Sequence, residues 1–350
     1  MRNASLDGIR GIAVLLVLFY HHNLLNFGWL GVDLFFVLSG YLITTILRKE
    51  RMARHYWSSY WIKRATRIFP PLLLLLAAAA VLGVSLSLSQ AFLYLASAGD
   101  LFAILRPHVE SLRPLWSLAV EEHFYLLWPL AVYHLDAKTL KRICLALILL
   151  DPLARAIMSL FTQDWQIVYF LTPFRLDGLA LGCLLALLFE SNIAIERIRR
   201  MSSSATIAFV LAWLALRVIL GHGFTRNNPT PAYNAFCYSL VALACAAGIS
   251  YVLTHQHSFV SRVLSWRPIA YIGLISYGLY LYQVLIIESM QRWTGKSVHA
   301  VFLLDFPVCF VLAALSFRFY ESPLIAWGRA KAKSHAERVI PKNAEQISEG

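Results

Sequence analysis

Charge is scarce in this sequence. Asp, Glu, Lys and Arg make up 14% of its 350 residues, against roughly 25% in a soluble domain, too few to cover a water-facing surface of this size. The five cysteines (Cys144, Cys183, Cys237, Cys245 and Cys309) all lie in apolar segments, with no CxxC pair and no Cys/His cluster at ligand spacing. That excludes a recognisable metal site and leaves them as small packing residues. Also missing is a small-x-small cleavage site after the apolar stretch 11–20, where His21-His22-Asn23 follow instead. The first helix therefore reads as retained in the membrane. No internal repeat or low-complexity stretch is evident.

What is abundant is apolar: 59% of residues are hydrophobic and the mean hydropathy is +0.62. Several runs approach the roughly 20 residues that cross a hydrocarbon core. They predict an all-α polytopic membrane protein, a bundle of about ten transmembrane helices at 9–25, 29–47, 69–88, 115–134, 140–160, 173–190, 204–221, 235–254, 269–289 and 298–325. The segment 91–105 is apolar but short and broken by Ser97, Gly99 and Asp100, which suits a re-entrant or interfacial helix. From 328 the chain turns polar, so residues 1–327 form the membrane unit and 328–350 are expected to be a disordered cytoplasmic tail.

The net charge of +12 does not point to nucleic acid, because the basic residues lie between apolar runs rather than on one face with stacking aromatics. They set orientation instead. Of the 31 Lys and Arg, 21 fall in the termini and one set of alternate loops, above all 48–67, and five in the other set. The positive-inside rule then places both termini in the cytoplasm.

Five arginines remain inside the predicted spans, Arg10, Arg155, Arg175, Arg217 and Arg318. A charge at mid-bilayer costs about 2.5–3.5 kcal/mol on insertion scales, so each should face protein or a water-filled cavity. Asp151 and Arg155 are four apart and Asp7 and Arg10 three, so each pair can meet on one face, while Arg217 and Arg318 lie near span ends and can snorkel. Arg10 and His21 are 11 residues apart, about 16 Å of rise and within about 20° of one stripe. Two readings fit: an anion-binding Arg and a proton-transferring His facing one cavity, or a snorkelling Arg and an interfacial His. His22 points about 100° away, so His21 is the expected base. Glu121 and Glu122, adjacent within an apolar span, are hard to explain by packing, and point about 100° apart. Arg64 and Arg67 form either a fork suited to phosphate or an ordinary positive-inside anchor.

Several motifs, taken in order, resemble those of the acyltransferase-3 membrane acyltransferases. Leu6-Asp7-Gly8-Ile9-Arg10-Gly11 with His21 resembles the family's Arg-x10-His signature, and Gly31-Val32-Asp33 through Ser39-Gly40 its second-span motif. Arg64-Ala65-Thr66-Arg67 resembles its Arg-x-x-Arg loop, and Trp116-Ser117-Leu118 through Glu121, Phe124 and Tyr125 its Trp-Ser-Leu-x-x-Glu-x-x-Phe-Tyr motif. Phe174-Arg175-Leu176-Asp177 with Gly182, Ile275-Ser276-Tyr277 through Leu281, and Tyr320-Glu321-Ser322-Pro323 follow.

The resemblance implies acyl transfer, usually of acetyl, from cytoplasmic acyl-CoA as co-substrate to a hydroxyl on a cell-envelope glycan, in a multi-pass protein of the bacterial inner membrane. It implies no metal or other cofactor. His21 would be catalytic with Arg10 and Glu121, and Arg64 and Arg67 would bind the donor's phosphates. Asp33, Arg175, Asp177, Tyr277, Gln283 and Glu321, the other polar residues of these motifs, are expected at the substrate site. Gln283 stands where the family often has His, which argues for holding a hydroxyl rather than moving a proton. With about 25 residues after the last span, the chain is expected to be a form without the SGNH esterase-like domain of some members. A secondary transporter is the alternative: buried charge pairs and an even span number suit one. Arginines concentrated at one mouth argue against it.

Overall fold

A computed structural model describes residues 3–105, 109–162, 164–220, 224–225 and 228–338. The polar residue before the first apolar run starts the first helix. Asn3 accepts from the N–H groups of Ser5 (3.0 Å) and Leu6 (3.4 Å), capping α1, Ala4–His21. After a turn with Asn23 left-handed comes α2, Leu30–Glu50, then α3, Tyr56–Val81. Two short helices, α4 (Leu88–Leu95) and α5 (Gly99–Phe102), precede α6, Leu115–His134. α7 (Ala137–Phe161), the short α8 (Trp165–Phe170), α9 (Leu176–Leu188) and α10 (Asn192–Leu220) follow. A pair of two-residue strands, Phe224–Thr225 and Asn228–Pro229, lies before α11, Pro231–Thr254. The remainder is α12 (Phe259–Leu264), α13 (Arg267–Leu274), α14 (Ser276–Thr294), α15 (Val298–Ser316), a π turn at Phe317–Glu321 and α16, Ser322–Arg338.

This is the all-helical membrane bundle that composition predicts. Among the described residues seven helices are long and apolar enough to cross a bilayer, and α13 and α14, bent by 69° at Ile275, make an eighth if taken as one span. α6 and α9 pack among them, α6 made less apolar by Glu121-Glu122-His123 and α9 only 13 residues long. Leu149, Leu160 and Leu303 are 70%, 72% and 79% exposed; such a surface suits hydrocarbon, where it costs nothing.

Several boundaries differ from the sequence reading. α3 begins at Tyr56 rather than near 69, so Arg64 and Arg67 lie on a helix and not in a loop. The cause is packing that loop charge conceals: Tyr56 and Tyr60 are buried, and their hydroxyls donate to the backbone oxygens of Pro129 (2.9 Å) and Tyr125 (2.8 Å) on α6. α10 begins at Asn192, drawing Arg197, Arg199 and Arg200 into helix. The segment 91–105 forms α4 and α5, separated at Ser97, whose φ is 65°. The tail expected to be disordered from 328 is instead helical to Arg338, with Ala332 buried and Gly328 lying on Thr66 of α3. Its small residues meet α3 while its lysines stay outside, which average polarity does not register. Residues 339–350 lie outside the described residues.

Glycine sets how closely the central helices approach. A Cβ on Gly40 would lie 2.0 Å from the carbonyl oxygen of Leu179, and one on Gly182 2.0 Å from that of Val37, so α2 and α9 meet backbone to backbone. Both obstacles are main chain and cannot rotate away. Gly182→Ala should therefore force the pair apart and cost about 1–3 kcal/mol. A lower melting temperature of the purified variant in detergent checks this; an unchanged one contradicts the close approach.

Candidate active site

Three arginines and a carboxylate converge inside the bundle. Arg10 comes from α1, Arg64 and Arg67 from α3, and Glu121 from α6, each within electrostatic reach of the others. Glu121 is aimed by two hydroxyls: Ser39 of α2 donates to Oε1 at 2.6 Å and Tyr125, one turn along α6, donates to Oε2 at 3.3 Å. The Arg64 guanidinium stacks over the Tyr125 ring, 3.9 Å from its centre. Glu321, in the π turn, lies near Arg67 and accepts from Ser316 at 2.8 Å. Tyr277 lies within electrostatic reach of Glu121 and Glu321 and donates to the backbone oxygen of Ile68 at 3.1 Å.

The cations in this cluster are not neutralised by contact. Among the described residues neither Arg10 nor Arg67 has a hydrogen-bond or ion-pair partner, and Arg67 has Arg10 and Arg64 as like-charged neighbours. Converging guanidiniums of this kind have the charge and the donors to hold an anion.

His21 closes α1, about three turns along from Arg10. Its Nδ1 lies 3.0 Å from the Val17 carbonyl oxygen. A carbonyl only accepts, so a neutral ring in this contact carries its proton on Nδ1, the tautomer that a general base acting through Nε2 needs. His22 is engaged otherwise. Its Nδ1 is 2.7 Å from the Leu18 oxygen and its Nε2 2.9 Å from Asp305 of α15, both residues being 1% exposed. With both ring nitrogens occupied, His22 ties α1 to α15. Asp305 escapes a motif-based reading; its signal is a lone carboxylate in the apolar run Phe302 to Phe306.

The remaining predicted residues lie elsewhere. Asp33 pairs with Arg175 at 2.8 Å, fully buried, with the guanidinium enclosed by the rings of Phe36, Trp116, Tyr169 and Tyr238. Asp177 pairs with Arg155 at 2.7 Å, and Asp151 lies 3.3 Å from Arg155, the four-residue pairing expected from sequence. The Arg155 group is satisfied by its partners, which makes it framework. Asp33 Oδ2 and Arg175 Nε and Nη1, by contrast, have no hydrogen-bond partner among the described residues, Arg175 being held by that one ion pair and the rings around it. Gln283 is buried, its Nε2 donating to the Tyr280 backbone oxygen at 3.1 Å and its Oε1 without a partner among the described residues. Glu122 accepts from Ser97, and His123 meets Thr172 at 2.7 Å, so of three adjacent polar residues only Glu121 joins the arginines. Ser39 and Tyr125, which aim Glu121, sit within quoted motifs but are not singled out from sequence.

The acyltransferase domain of the acyltransferase-3 family matches residues 3–319. The chain is 31% identical over 358 residues to peptidoglycan O-acetyltransferase OatA of Listeria monocytogenes, covering 91% of this chain and 55% of that protein. It is 30% identical over 376 residues to O-acetyltransferase OatA of Staphylococcus aureus, covering 98% of this chain and 60% of that protein. The chain thus spans little more than half the length of these relatives. No solved structure matches it.

Proposed function

The chain belongs to the acyltransferase-3 family, and on that premise we propose that it moves an acetyl group from acyl-CoA in the cytoplasm to a hydroxyl of an extracytoplasmic, peptidoglycan-like glycan. The observation that carries this reading is the arginine cluster: Arg10, Arg64 and Arg67 gathered in the bundle, two of them without a hydrogen-bonded or ion-paired partner among the described residues. It suits a polyanionic donor, which cannot enter hydrocarbon. Arg64 and Arg67 hold the donor's phosphates, Arg10 joins them, and Glu121, aimed by Ser39 and Tyr125, orients the guanidiniums. Loop charge supports placing both termini, and so the Arg64 end of α3, on the cytoplasmic face of the inner membrane.

The donor's arm then runs along the stripe from Arg10 towards His21, where the acceptor arrives from outside. His21 Nε2 takes the proton of the acceptor hydroxyl as its oxygen bonds to the thioester carbon. The C–S bond breaks, and the sulfur leaves as thiolate and takes up the proton. The names of the relatives support a glycan hydroxyl as acceptor.

Purified protein given acetyl-CoA and peptidoglycan fragments should release free thiol and add one O-acetyl mass to the glycan. Thiol release no faster than in protein-free controls, with no added mass, overturns the donor.

A further inference from the structure

We propose that a cleft beside the first turn of α3, the helix that carries Arg64 and Arg67, binds a nucleotide, the purine-bearing phosphorylated end of the acyl-CoA donor. The cleft, of about 380 Å³, lies between the α2–α3 connection and the C-terminal end of α6 and is lined by Arg51, Arg54, Tyr56, Trp57 and Tyr133. Its three rings form one group, with centres 4.9 Å (Tyr56–Trp57), 5.2 Å (Tyr56–Tyr133) and 5.4 Å (Trp57–Tyr133) apart; Tyr56 is buried, so Trp57 and Tyr133 supply the accessible aromatic surface. Flat aromatics beside guanidiniums are what a base and its phosphates require: stacking for one, charge for the other. A bare phosphate or a lipid headgroup would use the arginines and leave the rings idle.

The surrounding charges sharpen the assignment. Arg48 is neutralised by Glu190 at 2.7 Å and Lys63 by Glu50 at 2.7 Å. Arg51 donates Nε to the Tyr133 backbone oxygen at 3.2 Å, which fixes it at the rim, and Arg54 is exposed without a partner among the described residues. Of the cations on and flanking this connection, Arg51 and Arg54 line the aromatic cleft, and Lys49 is exposed outside it.

Position along α3 links the cleft to the reaction. Trp57 and Arg64 are seven residues apart on the same helix, about 10 Å of rise and within about 20° of one stripe. A base on Trp57 thus places the following phosphates towards Arg64 and directs the acyl-bearing arm inward. The inference rests on the acyl-CoA donor proposed above, and gives the nucleotide a separate site.

The experiment uses the full chain in detergent and in nanodiscs, with radiolabelled adenosine 3′,5′-bisphosphate as the probe. Wild type should bind it, and Trp57→Ala and Arg54→Gln should each weaken binding about tenfold, with Trp57→Phe retaining most of it. In turnover, the preference for acetyl-CoA over acetyl-pantetheine, which lacks the nucleotide, should fall about tenfold in Trp57→Ala. No binding by wild type, or binding and donor preference both unchanged in Trp57→Ala, overturns the cleft assignment. So does loss of bisphosphate binding in phosphatidylglycerol nanodiscs but not in phosphatidylcholine ones, which makes the cleft a lipid-headgroup site. Bisphosphate binding that depends on Trp57 in a protein that fails to consume acetyl-CoA supports the cleft and removes the donor reading instead.

Discussion

His21→Ala should reach the membrane and fold like wild type while releasing thiol from acetyl-CoA at least about 100-fold more slowly, within the range lost with a positioned general base. The loss should fall on kcat, because the donor is held by the arginines about three turns away and not by the imidazole. Folding should survive because His21 is only half-buried and lies at the last turn of α1, where helix ends fray. His22 supplies the contrast. Replacing it leaves Asp305 buried without its partner, so His22→Ala should lower the melting temperature. If His21→Ala retains wild-type turnover, the base lies elsewhere. If a labelled acyl group is trapped on His21 in single turnover, the residue acts as nucleophile rather than base.

How much of this was readable beforehand depended on the range of the interaction. Apolar run length reports solvent preference, so the helical membrane class was plain from composition. Helical geometry carried the Asp151–Arg155 pair, because partners on one helix are fixed by spacing. It also divided Glu121 from Glu122, and in the structure one joins the arginines and the other Ser97. Contacts between distant segments left no such trace. The early start of α3 depends on two tyrosine hydroxyls reaching α6, and the helical tail on Gly328 and Ala332 meeting α3. His22 was set aside by its angle to His21, and nothing local announces Asp305 283 residues further on. Motif membership alone did not separate framework from site either. Arg175 and Asp177 stand in a motif as Arg64 does, yet Arg175 is closed in by rings and by Asp33, whereas Arg67 is without a bonded partner among the described residues.

That contrast gives a second large effect, on folding. Arg155 uses all five of its N–H donors: Nε to the Asn234 oxygen (2.8 Å), Nη1 to Phe174 oxygen (2.8 Å) and Asp151 (3.3 Å), and Nη2 to Asp177 (2.7 Å) and Ser239 (2.6 Å). One fully buried side chain thereby joins α7, the start of α9 and α11. Arg155→Ala leaves Asp151 and Asp177 close together in an apolar interior without their shared cation, a loss of about 3–5 kcal/mol. The variant should give little monodisperse protein in detergent and a sharply lower melting temperature. Arg155→Lys should rescue it only in part, since one ammonium has three donors and cannot span the fork. Arg67→Ala should do the reverse: it removes a cation held near two others, so the protein should melt no lower than wild type while acetyl-CoA turnover falls. Equal melting losses in Arg155→Ala and Arg67→Ala would show that both arginines belong to the framework, and would withdraw the unpaired charge on which the donor site rests.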